Sequence, residues 1–161
     1  SGLAEGQLDM AVLSGFGVEL GKGLDSRVTL SDPCMVMISA SHPLAAKKEI
    51  HPRELKGMPI VLNRAQDSQP SAGLIAGMYA NMGLRENKRM YADDFYSIAL
   101  IINTGIAFSI MPASVACWGI DGVVFRPVQG FKAKARTLLV YPRGSQDTGI
   151  QSFVSLIRPK R

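Results

Sequence analysis

The sequence predicts an α/β fold. Two features of its patterning favour that class: short apolar runs alternate with segments of helical spacing, and the runs are continuous, as in strands of a sheet covered on both faces. The third observation is the amount of apolar material. The chain has 161 residues, of which 47% are hydrophobic and 19% are charged. That composition supports a buried core and excludes a disordered chain.

The first half of the chain contains four apolar runs bounded by turn residues, which predict strands. These runs are residues 10–13, 28–30, 34–38 and 59–62. Residues 1–9 are typical of the last turn of a helix and the glycine that ends it. The Asp-Pro pair at 32–33 is expected to separate the second strand from the third. We expect residues 63–70 to form a polar loop and residues 71–82 to form a helix that ends at Gly83.

The second half of the chain continues the alternation of strands and helices. Strands are predicted at 88–92, 106–111, 123–127 and 137–141, and a short helix at 113–118. A helix capped by Asp93 or Asp94 is expected to run to about Asn103, with Gly105 behind it. The last helix begins near Asp147, and its spacing predicts one buried face. That face consists of Ile150, Phe153, Val154 and Ile157.

Composition excludes several classes of protein. Cys34 and Cys117 are the only cysteines, and no histidine lies at ligand spacing, so neither a disulfide scaffold nor a zinc site is expected. Two lone thiols suit a reducing compartment and predict a cytoplasmic location. The net charge of +5 includes no block of five like charges, which argues against nucleic-acid binding by this segment. The uncharged stretch 95–120 is broken by polar residues and proline, so no membrane span is expected.

The sequence motifs of catalysis and cofactor binding are incomplete. The glycines between positions 15 and 23 match neither a phosphate-binding loop nor a dinucleotide fingerprint, and no Gly-x-Ser-x-Gly elbow occurs. His42 and His51 each precede a proline and have no acidic or cysteine partner at metal spacing. The pair Asp93-Asp94 is typical of a helix cap rather than of acid–base catalysis. The sequence therefore predicts no catalytic residue, no metal and no cofactor.

Three polar loops remain as a candidate binding site. In open α/β sheets, ligands bind outside the carboxyl ends of the strands, where helix N-termini present free N–H groups. The loops at 14–16, 63–71 and 94–97 fit that position. Arg64 is the one cation within them, and its planar guanidinium group suits a carboxylate. The alternative is that Arg64 faces solvent.

Four segments, in order along nearly the whole chain, carry the motifs of a known family. They are LAEGQLDMAV at 3–12, the segment 33–45 that ends in SHPLA, IINTGIAFSIMP at 101–112 and GVVFRPV at 122–128. Together they resemble the C-terminal effector-binding domain of LysR-type transcriptional regulators. Asp32 stands where that family usually has glutamate, and Ala107 stands where it has glycine. Both departures are mild.

The resemblance implies a type 2 periplasmic-binding-protein-like fold, with two Rossmann-like lobes joined by two crossovers. Lobe I would comprise residues 1–40 and 133–161, and lobe II residues 41–132. In this family a strand, a helix and a second strand precede the first motif, and a DNA-binding winged helix-turn-helix precedes them. We therefore expect an N-terminally truncated fragment, in a protein that binds DNA only through the missing N-terminal domain.

The resemblance also implies a function, which is to sense a small metabolite, an organic anion, held between the lobes, and so to modulate transcription. The effector contacts carried over from the family are Ser14, Gly15, Phe16, Gln69, Pro70, Ser71 and Phe95, while Arg64 is added from its charge alone. The habit of the family implies a homo-dimer or homo-tetramer. A periplasmic solute-binding protein of the same fold is the alternative, and an α/β enzyme is a third hypothesis that no motif supports.

Overall fold

The computed structural model describes residues 2–3, 5–17, 19–67 and 71–157, in which strands and helices alternate as predicted. The strands are β1 (Ala11–Gly15), β2 (Leu24–Ser39), β3 (Ile60–Asn63), β4 (Arg89–Ala92), β5 (Ser109–Pro112), β6 (Val123–Arg126) and β7 (Lys134–Pro142). The α-helices are α1 (Arg64–Asp67), α2 (Ala72–Asn81), α3 (Phe95–Asn103) and α4 (Thr148–Leu156). Short 3-10 helices lie at Pro43–Ala46, Pro52–Leu55 and Ala113–Trp118. None of the helices in these described ranges is long and apolar enough to cross a bilayer.

The chain divides into two compact units. Unit 1 consists of Ser1–Asp32 and Lys134–Arg161, and unit 2 is the continuous segment Pro33–Ala133. The chain therefore passes between the units twice. Within unit 2 its two ends are tied together, because the Cys34 N–H donates a hydrogen bond of 3.0 Å to the Ala133 carbonyl oxygen.

Strand β2 runs without a break through the first of these two passages. The expectation that Asp32-Pro33 would separate two strands is therefore wrong. Before this point β2 lies beside β7, and after it β2 pairs with β5, beginning at Cys34 opposite Pro112. A proline has no N–H to give to a ladder, so it fits where one ladder stops and the next begins.

Unit 1 is built on the strand order β1-β7-β2. Strand β1 is antiparallel to β7, with Ala11 opposite Val140 and Gly15 opposite Arg136. Helix α4 begins as predicted at Asp147, whose carboxylate accepts a hydrogen bond of 3.0 Å from the Ile150 N–H. Satisfying a free N–H at the first turn in this way is the usual function of an aspartate cap.

Two expectations for unit 1 are wrong in detail, and a third is supported. Residues 10–13 were expected to form a buried strand, but Val12 is 68% exposed and Leu13 39% exposed, since only β7 pairs with β1 in the described part of the chain. Phe153 is 46% exposed, because the inward face of α4 consists of Ile150, Val154 and Ile157. The described residues of segment 1–9 carry the backbone pattern with which a glycine ends a helix, as predicted: the Gln7 N–H donates a hydrogen bond of 2.7 Å to the Gly2 carbonyl oxygen, the Gly6 N–H donates one of 3.3 Å to that of Leu3, and Gly6 has φ +69°.

Unit 2 contains two groups of strands. The second half of β2 lies between β5 and β6 and is antiparallel to both. Strands β3 and β4 are parallel and in register from Ile60 opposite Arg89 to Asn63 opposite Ala92. On its other side β3 meets Phe108, whose carbonyl oxygen accepts a hydrogen bond of 2.8 Å from the Val61 N–H. The first three residues of β3 are buried, as its continuous apolar run predicts.

The helices of unit 2 confirm most of the predicted boundaries. Helix α2 is followed by Gly83 at φ +73°, the left-handed conformation that glycine adopts at low cost behind a helix. Of the two predicted caps of α3, Asp94 is the residue that caps the helix. Two boundaries were wrong: residues 64–67 form the single turn α1 rather than a loop, and β5 begins at Ser109, since residues 106–108 precede it outside the strand.

The core of unit 2 includes a tyrosine whose hydroxyl group is inside the protein. Tyr79 on α2 packs edge-on against Phe108, with 6.3 Å between the ring centroids, and its Oη accepts a hydrogen bond of 3.1 Å from the Ile110 N–H. Burial raises the pKa of Tyr79 to about 12. The phenol therefore remains neutral throughout the physiological range and joins α2 to β5.

Replacing this tyrosine tests the contribution of the buried hydrogen bond. In Tyr79→Phe the Ile110 N–H stays buried without its acceptor, so the free energy of unfolding is expected to fall by about 1–3 kcal/mol. Urea denaturation followed by circular dichroism measures the change. The matched control is Tyr96→Phe at a residue that is 69% exposed, and its unfolding should not change. If Tyr79→Phe and Tyr96→Phe have the same free energy of unfolding, the hydrogen bond of Tyr79 contributes nothing to stability.

Candidate functional site

The carboxyl ends of β3 and β4 form the candidate site in unit 2. Because these strands are parallel and end in register, the chain leaves both of them at the same edge. Helix α1 begins directly after β3 with Arg64, and Asp93 and Asp94 follow β4 ahead of α3. This is the position at which open α/β sheets bind ligands.

Arg64 is held at this edge by a carboxylate. Its Nε donates a hydrogen bond of 2.9 Å to Oδ1 of Asp93, and its guanidinium carbon lies 5.8 Å from the centre of the Tyr91 ring. The side chains of Arg64 and Asp93 are 64% and 78% exposed. Within the described residues no hydrogen bond engages the two Nη groups of Arg64, so its bidentate face is open to a ligand. The alternative that Arg64 faces solvent is correct for the exposure of its side chain. The ion pair with Asp93 was not predicted.

Asp94 closes the N-terminus of α3. Its Oδ1 accepts a hydrogen bond of 2.9 Å from the Ser97 N–H, and its Oδ2 accepts one of 2.8 Å from the Ser97 hydroxyl. The bond from the Ser97 N–H, followed by that from the hydroxyl, holds the pKa of Asp94 below its ordinary value. The Asp94 carboxylate therefore occupies part of the helix start at which the sequence predicts free N–H groups for a ligand.

Aromatic rings lie beside the polar groups of this edge. Phe95, the first residue of α3, is half-buried and packs against the core of unit 2. Its ring lies 4.8 Å from that of Trp118 and 6.1 Å from that of Tyr96, edge-to-face in both cases. Trp118 is 59% exposed and Tyr96 more so. These three rings form an aromatic cluster at the start of α3, and Tyr91 is the ring that lies beside the Arg64 guanidinium group.

The other residues chosen from the sequence fall in three places. Ser14, Gly15 and Phe16 belong to unit 1, where the Ser14 Oγ accepts a hydrogen bond of 3.2 Å from the Thr137 hydroxyl. Ser71 directly precedes α2 and makes no side-chain cap. Gln69 and Pro70 lie outside the described residues.

Sequence reasoning missed three participants: Tyr91, Asp93 as the partner of Arg64, and Trp118. Tyr91 and Asp93 flank the last residue of β4, so an alignment of the two strand ends could have found them. Trp118 lies in a 3-10 helix far along the chain, and no spacing pattern connects it with Phe95. Across the described ranges, no group of three acidic, histidine or cysteine side chains could hold a metal ion.

Comparison with known proteins identifies the family. The family model described as the LysR substrate binding domain matches residues 1–161, the whole chain. The chain belongs to this family. Among curated relatives, HcaR, the transcriptional activator of the Hca operon of Escherichia coli (strain K12), is 21% identical over 137 residues, which are 85% of this chain and 46% of HcaR. The regulator BudR of Raoultella terrigena is 20% identical over 158 residues, 96% of this chain and 53% of BudR.

These relatives are transcriptional regulators, and the chain spans about half the length of the curated relatives it matches.

Solved structures establish the fold. The effector-binding domain of BenM with benzoate gives a TM-score of 0.81 at 19% identity, covering 98% of this chain and 71% of that one. Full-length CbnR in complex with its target DNA gives 0.78 at 18% identity, covering 98% and 52%. The fold is therefore the type 2 periplasmic-binding-protein-like fold of LysR effector-binding domains, as the sequence motifs implied.

Removing the cap of α3 tests the structural function of Asp94. Folding lowers the pKa of Asp94, so its stabilisation is fully present above the ordinary carboxyl pKa and is lost as the pH falls through the lowered one. Asp94→Ala is therefore expected to melt a few degrees below the parent protein at neutral pH, and the difference should vanish in acid.

Differential scanning calorimetry across this pH range measures the effect. The matched control is Asp93→Ala, which breaks only an exposed ion pair and should change the melting temperature little. A melting-temperature difference for Asp94→Ala that stays constant into strong acid would contradict the assignment.

Proposed function

We propose that this LysR substrate-binding domain senses a small organic anion and passes that signal to transcription. The match of the family model to the whole chain is the observation on which the proposal depends. The ligand would be held by the loops that follow β1, β3 and β4, with contacts from Ser14, Gly15, Phe16, Arg64, Gln69, Pro70, Ser71 and Phe95.

The chemistry at the end of β3 supports an anion with an apolar body. The Arg64 side chain is 64% exposed, and among the described residues none is hydrogen-bonded to its Nη groups; such a fork suits a carboxylate. The Tyr91 ring lies 5.8 Å from the guanidinium carbon, and Phe95 and Trp118 are in contact at the start of α3 in the same unit. BenM, a solved structure with the same fold, has benzoate as its effector. An aromatic or otherwise apolar monocarboxylate is the class that we infer for this chain.

The signal would arise from a shift between conformations. A ligand changes such an equilibrium only to the extent that it binds one conformation more tightly than another. We propose lobes at 1–40 with 133–161 and at 41–132, and an upstream strand, helix and strand that complete the first lobe. No catalytic step, metal or cofactor enters this proposal.

The intact protein would place this domain behind a DNA-binding domain. The length of the relatives and the complex of full-length CbnR with its target DNA support that arrangement. We propose a cytoplasmic homo-dimer or homo-tetramer that binds DNA through a winged helix-turn-helix absent from residues 1–161. The alternative of a periplasmic solute-binding protein is not favoured, because the relatives are transcriptional regulators.

A pair of substitutions tests the anion site. A thermal-shift screen of small monocarboxylates on the full-length protein, with benzoate as the first probe, selects a ligand for titration calorimetry. Arg64→Gln is expected to weaken its binding about tenfold, which corresponds to the loss of one charge-assisted contact. Asp93→Asn frees the Arg64 Nε and removes a negative charge, so affinity should be kept or increased. Gln69→Ala should also weaken binding.

The control variant is Arg85→Gln, which removes an equally exposed cation outside the proposed site. The Arg64→Gln and Asp93→Asn variants should keep the melting temperature of the ligand-free protein, because exposed ion pairs stabilise little. Unchanged affinity in both Arg64→Gln and Gln69→Ala would show that the ligand binds elsewhere.

A further inference from the structure

A second pocket lies in unit 2 at the opposite end of α2 from Ser71. We call it the α2 groove; its apolar walls are Pro52, Met78, Met82 and Phe131, and its volume is about 380 Å³. Helix α2 has ten residues, which separates the two ends by roughly 15 Å. The groove is therefore distinct from the edge at which β3 and β4 end, and the proposed function does not use it.

The walls of the groove suit a compact apolar ligand. Met78 and Met82 are four residues apart, so they lie on one face at the end of α2, and both are only half-buried. Methionine side chains are unbranched and polarisable, and they adapt to ligands of irregular shape. The half-buried Phe131 ring supplies a flat face across from them. Small-molecule sites typically have volumes in this range and mostly apolar walls.

The wall opposite α2 is preformed by backbone hydrogen bonds. The Gln129 N–H donates to the Ile50 carbonyl oxygen at 2.9 Å, and the Phe131 N–H donates to that of Val128 at 3.1 Å. Gly130 between them has φ +74°, a conformation that favours glycine. A wall that is ordered before binding avoids the entropy cost of ordering it in the complex.

The charge at the rim indicates which ligand would fit. Asn81 and Gln129 contribute amide groups, and Lys132 is the one charged side chain among the lining residues, all of which the structure describes. An exposed ammonium group beside apolar walls complements a molecule with an apolar body and one negative group. A neutral hydrocarbon would leave the lysine unused, and a cation would be repelled.

We propose that the α2 groove is a second small-molecule site, and that its ligand is a compact apolar monocarboxylate. The body of the ligand lies against Met78, Met82 and Phe131, and its carboxylate accepts a hydrogen bond from the Lys132 ammonium group. Phe131 and Lys132 lie within two residues of Ala133, where the chain leaves unit 2. The ligand therefore contacts the segment that leads directly into a crossover between the units.

Methyl NMR of the full-length protein tests this proposal, with 1-naphthoate as the probe and 1-naphthalenemethanol as its neutral counterpart. With ¹³C-methyl methionine, naphthoate is expected to shift the Met78 and Met82 signals saturably through ring currents. The signal of Met37, which is fully buried in β2, should not move. Substitution of each methionine by leucine assigns the signals. If Met78 and Met82 do not respond at millimolar naphthoate, or if the groove is already filled by another part of the protein, the proposal is wrong.

Charge and location are tested by three further variants. Lys132→Gln should weaken naphthoate binding about fivefold and leave the neutral alcohol unaffected. Lys134→Gln removes the same charge from a residue that does not line the groove, and naphthoate should bind it as it binds the parent protein. Arg64→Gln should leave the Met78 and Met82 shifts unchanged, which separates this site from the proposed effector site. Equal naphthoate affinity in Lys132→Gln and the parent protein would overturn the assignment of a carboxylate ligand.

Discussion

The hydrogen bonding of β3 on both of its sides is the constraint on which the rest of unit 2 depends. One edge of β3 pairs with β4, and the other meets Phe108. The approach to the strand is also held, since the buried Asn87 donates Nδ2 hydrogen bonds of 2.6 Å to the Leu55 carbonyl oxygen and 2.8 Å to that of Met58. A strand held in this way cannot slip in register, so the position at which Arg64 emerges is determined by the ladder.

The local features of this domain could be predicted from the sequence because they depend on neighbouring residues. Asp94 was expected as one of two caps of α3, and Gly83 as the residue behind α2, from rules that span one helical turn. The continuous apolar run of β3 identified a buried strand in the same way. The four family motifs, taken in order along the chain, predicted the overall fold, although each motif alone is short.

The features that could not be predicted depend on contacts between distant residues. Arg64 and Asp93 are 29 positions apart and meet only because β3 and β4 are parallel and in register. Continuity of β2 through Pro33 depends on a change of ladder partner, which the sequence does not display. The sequence analysis excluded a metal site at His42 and His51 but predicted no structural function for them. They cap 3-10 helices, since Nδ1 of His42 accepts from the Leu44 N–H and Nδ1 of His51 accepts from the Arg53 N–H.

The two aspartates beside Arg64 have a consequence for selectivity. At neutral pH the formal charges of Arg64, Asp93 and Asp94 sum to −1, so an anion that binds the guanidinium group is also repelled by two nearby carboxylates. Coulombic repulsion is proportional to the charge of the incoming molecule. A dianion therefore meets twice the penalty of a monoanion of the same shape, and it has only one fork with which to offset that penalty. For the proposed effector site, this charge balance favours a monovalent ligand over a divalent one of the same shape.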